Sequence, residues 1–197
     1  DRWGPDHWPH PPGAGHPGDR DSLKLVGQQQ ALADALFALG KPVVVVLING
    51  RPLAVVDVAT HANALIEGWY MGQAGGTAMA DILFGDVDPS GHLPVTIPRS
   101  VGQLPMFYNY KPSAHRGYLF DTAAPLFPFG YGLSYTTFGY YNLRTNVGAA
   151  QAGDTLTVSV DLTTPGTIAG AEVPQLSVQH LGSHVERPLS DLRGYAR

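Results

Sequence analysis

Residues 125–138 read Pro-Leu-Phe-Pro-Phe-Gly-Tyr-Gly-Leu-Ser-Tyr-Thr-Thr-Phe, and this stretch constrains the fold more than any other. Proline fixes φ, glycine admits positive φ, and each ring has a large apolar area to bury. A flexible linker would instead be rich in Ser, Gly and charge. The segment therefore reads as a stiff connector packed between two structural units. Phe127, Phe129, Tyr131 and Tyr135 are expected to be largely buried there.

The two flanks of this connector differ in texture. Before it, Leu32, Leu36 and Leu39, with Ala31 and Ala35, make a helical stripe that runs to Gly40, a good residue just beyond a helix end. Pro42 to Ile48 is a continuous β-branched run closed by Asn49-Gly50, which suits a strand of a parallel sheet buried on both faces. Ala64 to Trp69 reads as a second strand. Gly75-Gly76-Thr77 opens a helix over Ala78 to Phe84 that Gly85 closes, and Leu93 to Ile97 reads as a further short strand. This alternation predicts a layered α/β domain up to about residue 100. After the connector, Thr155 to Leu162 and Pro174 to Gln179 alternate with period two between turn residues, as in a β-sandwich. Three or four strands fit before Arg197, whereas such a sandwich needs about seven, so the chain is expected to stop within that domain.

Composition narrows the function classes. With 44% apolar and 14% charged residues the chain can build a core, and 197 residues suffice for one domain and a fraction. A net charge of −4 carries no basic footprint, so nucleic acid is not an expected partner. The absence of cysteine excludes disulfides, thiolate catalysis and Cys-ligated metal. No apolar stretch approaches the ~20 residues of a membrane span, and no membrane partner is expected. A chain opening on Asp1-Arg2-Trp3 is expected to be cut from something longer, so the lack of a leader says nothing about compartment.

Several short motifs resemble family-three glycoside hydrolases, the β-glucosidases, β-xylosidases and their relatives. The connector is similar to the signature joining that family's second and third domains. Gly18-Asp19-Arg20-Asp21-Ser22-Leu23 resembles its G-D-R-x-x-L segment, and Lys41 to Leu53 its K-P-x-V-V-V-L-x-N-G-R-P strand and turn. Trp69, Gly72, Gln73, Gly76 and Ala78 fit an A-W-x-P-G-Q-x-x-G-x-A pattern, with Met71 where Pro is usual and Gly68 where Ala is. Phe84 to Pro94 is similar to F-G-D-x-x-P-S-G-x-L-P, and Arg187-Pro188 with Leu192 to Tyr195 resembles part of the family's fibronectin-III-like domain.

The resemblance implies a fold and a division of the chain. Residues 1–21, with five prolines, four glycines and three histidines, would be a loop of an α/β-sandwich domain, a flavodoxin-like layered sheet with helices. Residues 22–124 would be that domain with an extended C-terminal loop, 125–138 the packed connector, and 139–197 a partial fibronectin-III-like β-sandwich. The implied activity is retaining, exo-acting hydrolysis of terminal non-reducing β-linked glucose or xylose. The implied partners are a β-linked oligosaccharide or glycoside and an N-terminal (β/α)8 barrel of the same polypeptide. No cofactor or metal is implied, and the family suggests a secreted or periplasmic location.

Glycoside hydrolysis of this type needs two carboxyl groups ~5–5.5 Å apart. The resemblance places the nucleophilic Asp on the barrel, outside this chain, and the acid/base Glu shortly upstream of the G-D-R segment. Residues 1–21 hold Asp1, Asp6, Asp19 and Asp21 but no Glu; Glu67, Glu172 and Glu186 lie elsewhere. Either the acid/base precedes Asp1 or it varies in this subgroup, and the first reading is preferred, which leaves the chain inactive alone. Asp6 is the candidate within the chain, since a carboxylate beside His7 suits acid/base work, although a Pro-rich surface loop is the plainer reading. Trp3 offers a ring for stacking on sugar, and so does Trp8; pinning the loop explains them equally well. With Trp3, His7 and Arg20 form the candidate substrate cleft, against the plainer reading of Asp19-Arg20 as a structural ion pair.

Other signals are weaker. Gly72 to Thr77 lacks the Lys and the spacing of a phosphate loop and reads as close strand–helix packing. Tyr135 sits where a third glycine would be needed after Gly130 and Gly132, and Ser134 lies in no G-x-S-x-G elbow. His180 and His184 share metal-ligand spacing only if helical, and Gly182 argues for a turn. Asn109 to Tyr118 is an aromatic and cationic loop suited to sugar hydroxyls or, as preferred, to locking the junction. A stand-alone carbohydrate-binding or adhesion module is the alternative, disfavoured by the incomplete sandwich. A doubly wound nucleotide-binding protein is disfavoured by the missing phosphate loop.

Overall fold

The computed structural model describes residues 20–114, 117–119 and 121–197. Helix α1 (Gln29–Phe37) leads into strand β1 (Val44–Leu47), helix α2 (Val56–His61), strand β2 (Ala64–Glu67) and helix α3 (Gly75–Phe84). β1 and β2 pair in parallel, Val44 opposite Ala64 and Leu47 opposite Glu67. Parallel neighbours need a crossover, and α2 supplies it. The arrangement is α/β, with few helices and small sheets.

α1 and α3 form where the sequence predicts helices. α1 ends on Ala38, followed by Gly40 at φ 63°, and α3 ends on Gly85 at φ 85°. Left-handed backbone at these points is what glycine accommodates without strain. At the start of α3 a Cβ on Gly75 would collide with Met71 Cβ, so the close packing at Gly75 is of the loop after β2 against the helix start rather than of strand on helix. α2 escapes prediction because Val56, Val58 and Thr60 favour strand.

Leu47, Leu53, Val55 and Val58 are the buried core, with Leu25, Ala33, Phe37, Val45, Ala62, Leu65 and Leu126 packed against them. The expectation that the valine run is buried on both faces fails. Val44 is 49% and Ile48 60% exposed, because β1 pairs on one side only and a groove of about 350 Å³ stays open between it and α1. Leu32 and Leu36, on the helical stripe, line that groove.

The 93–97 segment is not a strand of its own; it makes one antiparallel bridge, Ile97 to Phe127. Leu126 N donates to Ile97 O at 2.8 Å, and Gly130 N to Leu93 O at 2.8 Å, so backbone bonds fasten the connector to this segment. Gln103, 4% exposed, adds a polar latch. Its Oε1 accepts from Arg99 N (2.7 Å) while Nε2 donates to Thr122 O (3.0 Å) and Ala124 O (3.2 Å).

The aromatic rings of the connector are not buried as expected. Tyr131 is 38% and Tyr135 46% exposed, and Phe127 and Phe129 are only half-buried. They stack in pairs instead, Phe127 on Tyr131 at 5.1 Å and Phe129 on Tyr108 at 4.4 Å. Tyr135 keeps its phenol as a polar handle, donating to Ile82 O at 2.7 Å. Asp88 accepts from Ser134 Oγ (2.8 Å) and Tyr135 N (2.6 Å). His92 Nδ1 lies 2.7 Å from Gly130 O and its Nε2 3.0 Å from Glu172 Oε1. Directed polar bonds and ring pairs, rather than ring burial, hold this stretch.

Beyond it, β3 (Gly139–Thr145) pairs antiparallel with β4 (Val158–Thr163), and β5 (Gln175–Val178) with β6 (Asp191–Tyr195). Each pair is its own two-stranded sheet. β4 and β5 lie where alternation predicts them. β3 carries a bulge after Tyr141, with Asn142 at φ 53°, a conformation Asn tolerates better than most residues.

Candidate functional site

In an open parallel sheet the loops beyond the carboxyl ends of the strands are where ligands gather. Here those loops are Asn49-Gly50-Arg51 after β1 and Gly68-Trp69-Tyr70 after β2. The pairing of Leu47 with Glu67 brings them together, and Gly68 N donates to Leu47 O at 2.9 Å.

Asn49 is 2% exposed. Its Nδ2 donates to Arg51 O at 2.7 Å and to Glu67 Oε2 at 3.3 Å, while its Oδ1 is buried without a hydrogen-bond partner. Glu67 Oε1 accepts from Trp69 N at 3.1 Å. Burial pushes the Glu67 carboxyl above its ordinary value of 4.5, and the bonds from Trp69 N and Asn49 only partly offset this. Trp69 sits at φ 52°, a strained setting for a bulky residue and one that clusters at functional positions. The Tyr70 ring lies so close over Gly50 that a side chain there would have to push the ring aside. The result is a half-buried carboxyl that holds its proton to higher pH, an amide with a spare acceptor, and two aromatic residues. These are groups that hydrogen-bond and stack on a hydroxylated ligand.

Of the residues the sequence nominates, Trp3, Asp6 and His7 lie outside the described residues, as does Asp19. Arg20 is described. It donates through a guanidinium nitrogen to Lys24 O and lines the α1–β1 groove together with Asn49. Sequence reasoning missed Asn49 and Glu67 as a pair, since 18 positions separate them and only parallel pairing joins them. The available signal was an Asn and a Glu each closing a β-rich run. Among the described residues no group of three or more His, Cys, Asp or Glu is placed to hold a metal ion. No helix there is long and apolar enough to cross a membrane.

Comparison with known proteins agrees with this architecture. Residues 6–135 match the glycosyl hydrolase family 3 C-terminal domain. A β-xylosidase of Formosa agariphila is 44% identical over 93% of this chain, and a periplasmic β-glucosidase of Salmonella typhimurium 42% over 90%. Among solved structures, a β-glucosidase from Erythrobacter marinus superposes with a TM-score of 0.88 at 46% identity, covering 93% of this chain and 24% of its own. The Listeria innocua β-glucosidase in complex with isofagomine superposes at 0.84 and 34%, covering 92% and 27%. An α/β layer whose loops gather at the strand ends, matched over most of its length, places the chain in a class: it belongs to glycosyl hydrolase family 3. It spans about a quarter of the length of the curated relatives it matches, 26% and 25% for the two above.

Proposed function

We propose that this chain is the C-terminal part of a retaining exo-β-glycosidase that hydrolyses terminal non-reducing β-linked glucose or xylose. The observation that carries this reading is continuous similarity over nine-tenths of the chain to β-xylosidases and β-glucosidases about four times as long. On this reading residues 22–124 form the α/β-sandwich domain, and 139–197 belong to a fibronectin-III-like sandwich, with 125–138 joining the two. The catalytic nucleophile comes from a barrel elsewhere in the polypeptide. The loop of residues 1–21 and the strand ends at Asn49 and Glu67 supply one wall of the cleft. Trp3, His7 and Arg20 are the candidates for contact with the glycoside, the acid/base precedes Asp1, and Asp6 is the candidate for it within the chain. Export to the periplasm or the medium fits the Salmonella relative, a periplasmic enzyme by name.

The test has two arms. The purified chain, assayed with aryl β-glucosides and β-xylosides after removal of host glycosidases, is expected to give no turnover. The complete reading frame, expressed and assayed in the same way, is expected to hydrolyse at least one of them. Turnover by the chain alone would move attention to Asp6 and His7. A complete protein without glycosidase activity would overturn the reading.

A further inference from the structure

A second cavity of about 210 Å³ lies on the β5–β6 hairpin, far along the chain from the strand-end loops, lined by Val178, His180, Arg187, Pro188, Asp191 and Arg193. Its polar lining is two guanidinium groups, an imidazole and one carboxylate. That balance runs against the chain as a whole, which carries 12 Lys and Arg against 16 Asp and Glu.

The backbone explains how the cations gather. In the β5–β6 ladder Leu176 pairs with Gly194 and Ser177 with Leu192, so Arg193 is the extra residue of a bulge and has no cross-strand partner. Bulges of this kind re-aim a side chain and recur beside binding sites. Val178 pairs with Asp191 at the other end of the ladder, and the long loop between the strands returns His180, Arg187 and Pro188 to the same concavity.

The local counter-charges are few. Asp191 receives Arg193 at 3.4 Å through Oδ2 and Asn109 Nδ2 at 3.4 Å through Oδ1, so its charge is already shared. Glu186, next in sequence to Arg187, turns away: its Oε1 and Oε2 accept from Ser113 N (2.6 Å) and Ser113 Oγ (2.5 Å). Arg187 donates through Nε to Ser183 Oγ at 3.5 Å, and no carboxylate lies within ion-pair distance of it among the described residues. The cavity thus holds more positive charge than its one carboxylate balances, and it exposes guanidinium donors that accept nothing.

From this geometry we infer that the cleft between Arg187 and Arg193 is a binding site for an oxyanion, either the carboxylate of an acidic sugar or a phosphate. Planar guanidinium forks suit both, and a neutral sugar offers no charge to compensate. The inference does not depend on the glycosidase reading, because the cleft lies outside the strand-end loops and uses none of their residues.

The test is titration of the ¹⁵N-labelled chain, monitored by NMR at low ionic strength, with sodium phosphate, D-glucuronate and D-glucose. Saturable shifts are expected at Arg187, Arg193 and His180 with phosphate or glucuronate, and none with glucose. Whichever anion binds more tightly identifies the source of the charge. Arg187→Gln is expected to weaken binding about tenfold or more, as is Arg193→Gln, and Arg187→Lys by less. Spectra that superpose away from the hairpin establish that each variant is folded; if one is not, Arg187→Lys and His180→Gln carry the comparison. No saturable shift up to about 50 mM of either anion, or unchanged binding in a folded variant carrying both Arg187→Gln and Arg193→Gln, overturns the site.

Discussion

Among the described residues, those from 20 to 135 and those from 139 to 197 both form ordered ladders of hydrogen bonds, yet only the first group buries a core. Leu47, Leu53, Val55, Val58 and Ile97, the buried hydrophobics among the described residues, all fall in the first region. In the second, every residue of β5 is exposed, and Leu143, Leu156 and Leu176 are 74%, 50% and 39% exposed. The difference is one of layering. β1 and β2 carry helices against them, so apolar side chains meet a second surface. The β3–β4 and β5–β6 pairs are separate two-stranded sheets, and pairing alone removes backbone groups from water but few side chains.

The sharpest way to break this comparison is hydrogen exchange. Amides of Val45 to Leu47 are expected to be protected more than those of β3 to β6, by roughly two orders of magnitude or more. Equal protection would show that the hairpins find a covering surface, for instance a second copy of the chain. Next in size, Leu53→Ala, at a site 6% exposed, is expected to cost about 2–5 kcal/mol. Leu176→Ala is expected to stay within about 0.5 kcal/mol. Urea denaturation of both variants measures this, and similar losses would refute the contrast.

Close packing gives a smaller pair. Gly75→Ala drives a methyl into Met71 and should destabilise by about 1–3 kcal/mol, whereas a methyl on Gly148 meets nothing within 4 Å. Gly148→Ala should leave the melting temperature unchanged. A neutral Gly75→Ala would mean that the turn into α3 yields.

Charge sharpens the comparison further, because the two regions respond to pH with opposite sign. The raised pKa of Glu67 means that the folded chain binds that proton more tightly than the unfolded chain does. Stability from this group therefore falls as pH rises from 4.5 through the folded value. Glu67→Gln should remove that decline, and thermal melts from about pH 4 to about pH 8, a span that covers a raised carboxylate, test it. Superimposable pH profiles would mean that the burial of Glu67 has no energetic weight. Asp161 is the reverse case. Bonds from Asn142 and Arg144 hold its carboxyl below the ordinary 3.8, so its contribution is present above that value and is lost as pH falls through the lowered one. Its side chain is about half open to solvent, 45% exposed, so Asp161→Asn should change acid sensitivity only slightly, the smallest effect in the series. A large shift would show that the β3 bulge depends on this carboxylate.

Much of this architecture is legible in the sequence wherever the chain states its own period. The valine run of β1, the alternation of β4 and β5 and the glycines around α3 all announce themselves. α2 does not, because its β-branched residues prefer extended backbone and the crossover between parallel strands overrides them. β3 and β6 do not, because each carries a bulge that breaks the alternation. The connector is legible as a structured stretch, but the half-exposure of its rings is not, since composition cannot tell a ring pressed into a core from one stacked at a rim. At the strand ends, Asn49 and Glu67 each look ordinary alone. Their partnership exists only once the register is known, and Trp3, Asp6 and His7 remain readings of sequence.

Gln103 has a consequence for how freely this gene can drift. One planar amide there serves an N–H with its oxygen and two carbonyls with its nitrogen. Glutamate has the same shape but no donor when ionised, and it would turn a carboxylate oxygen toward the two carbonyls. Asparagine has the right atoms on too short an arm. A single base change converts a glutamine codon to glutamate, so one point mutation strikes the side chain that clasps Arg99, Thr122 and Ala124 together. In a saturation library this position should tolerate fewer alternatives than the more voluminous Leu104 beside it, which is 49% exposed.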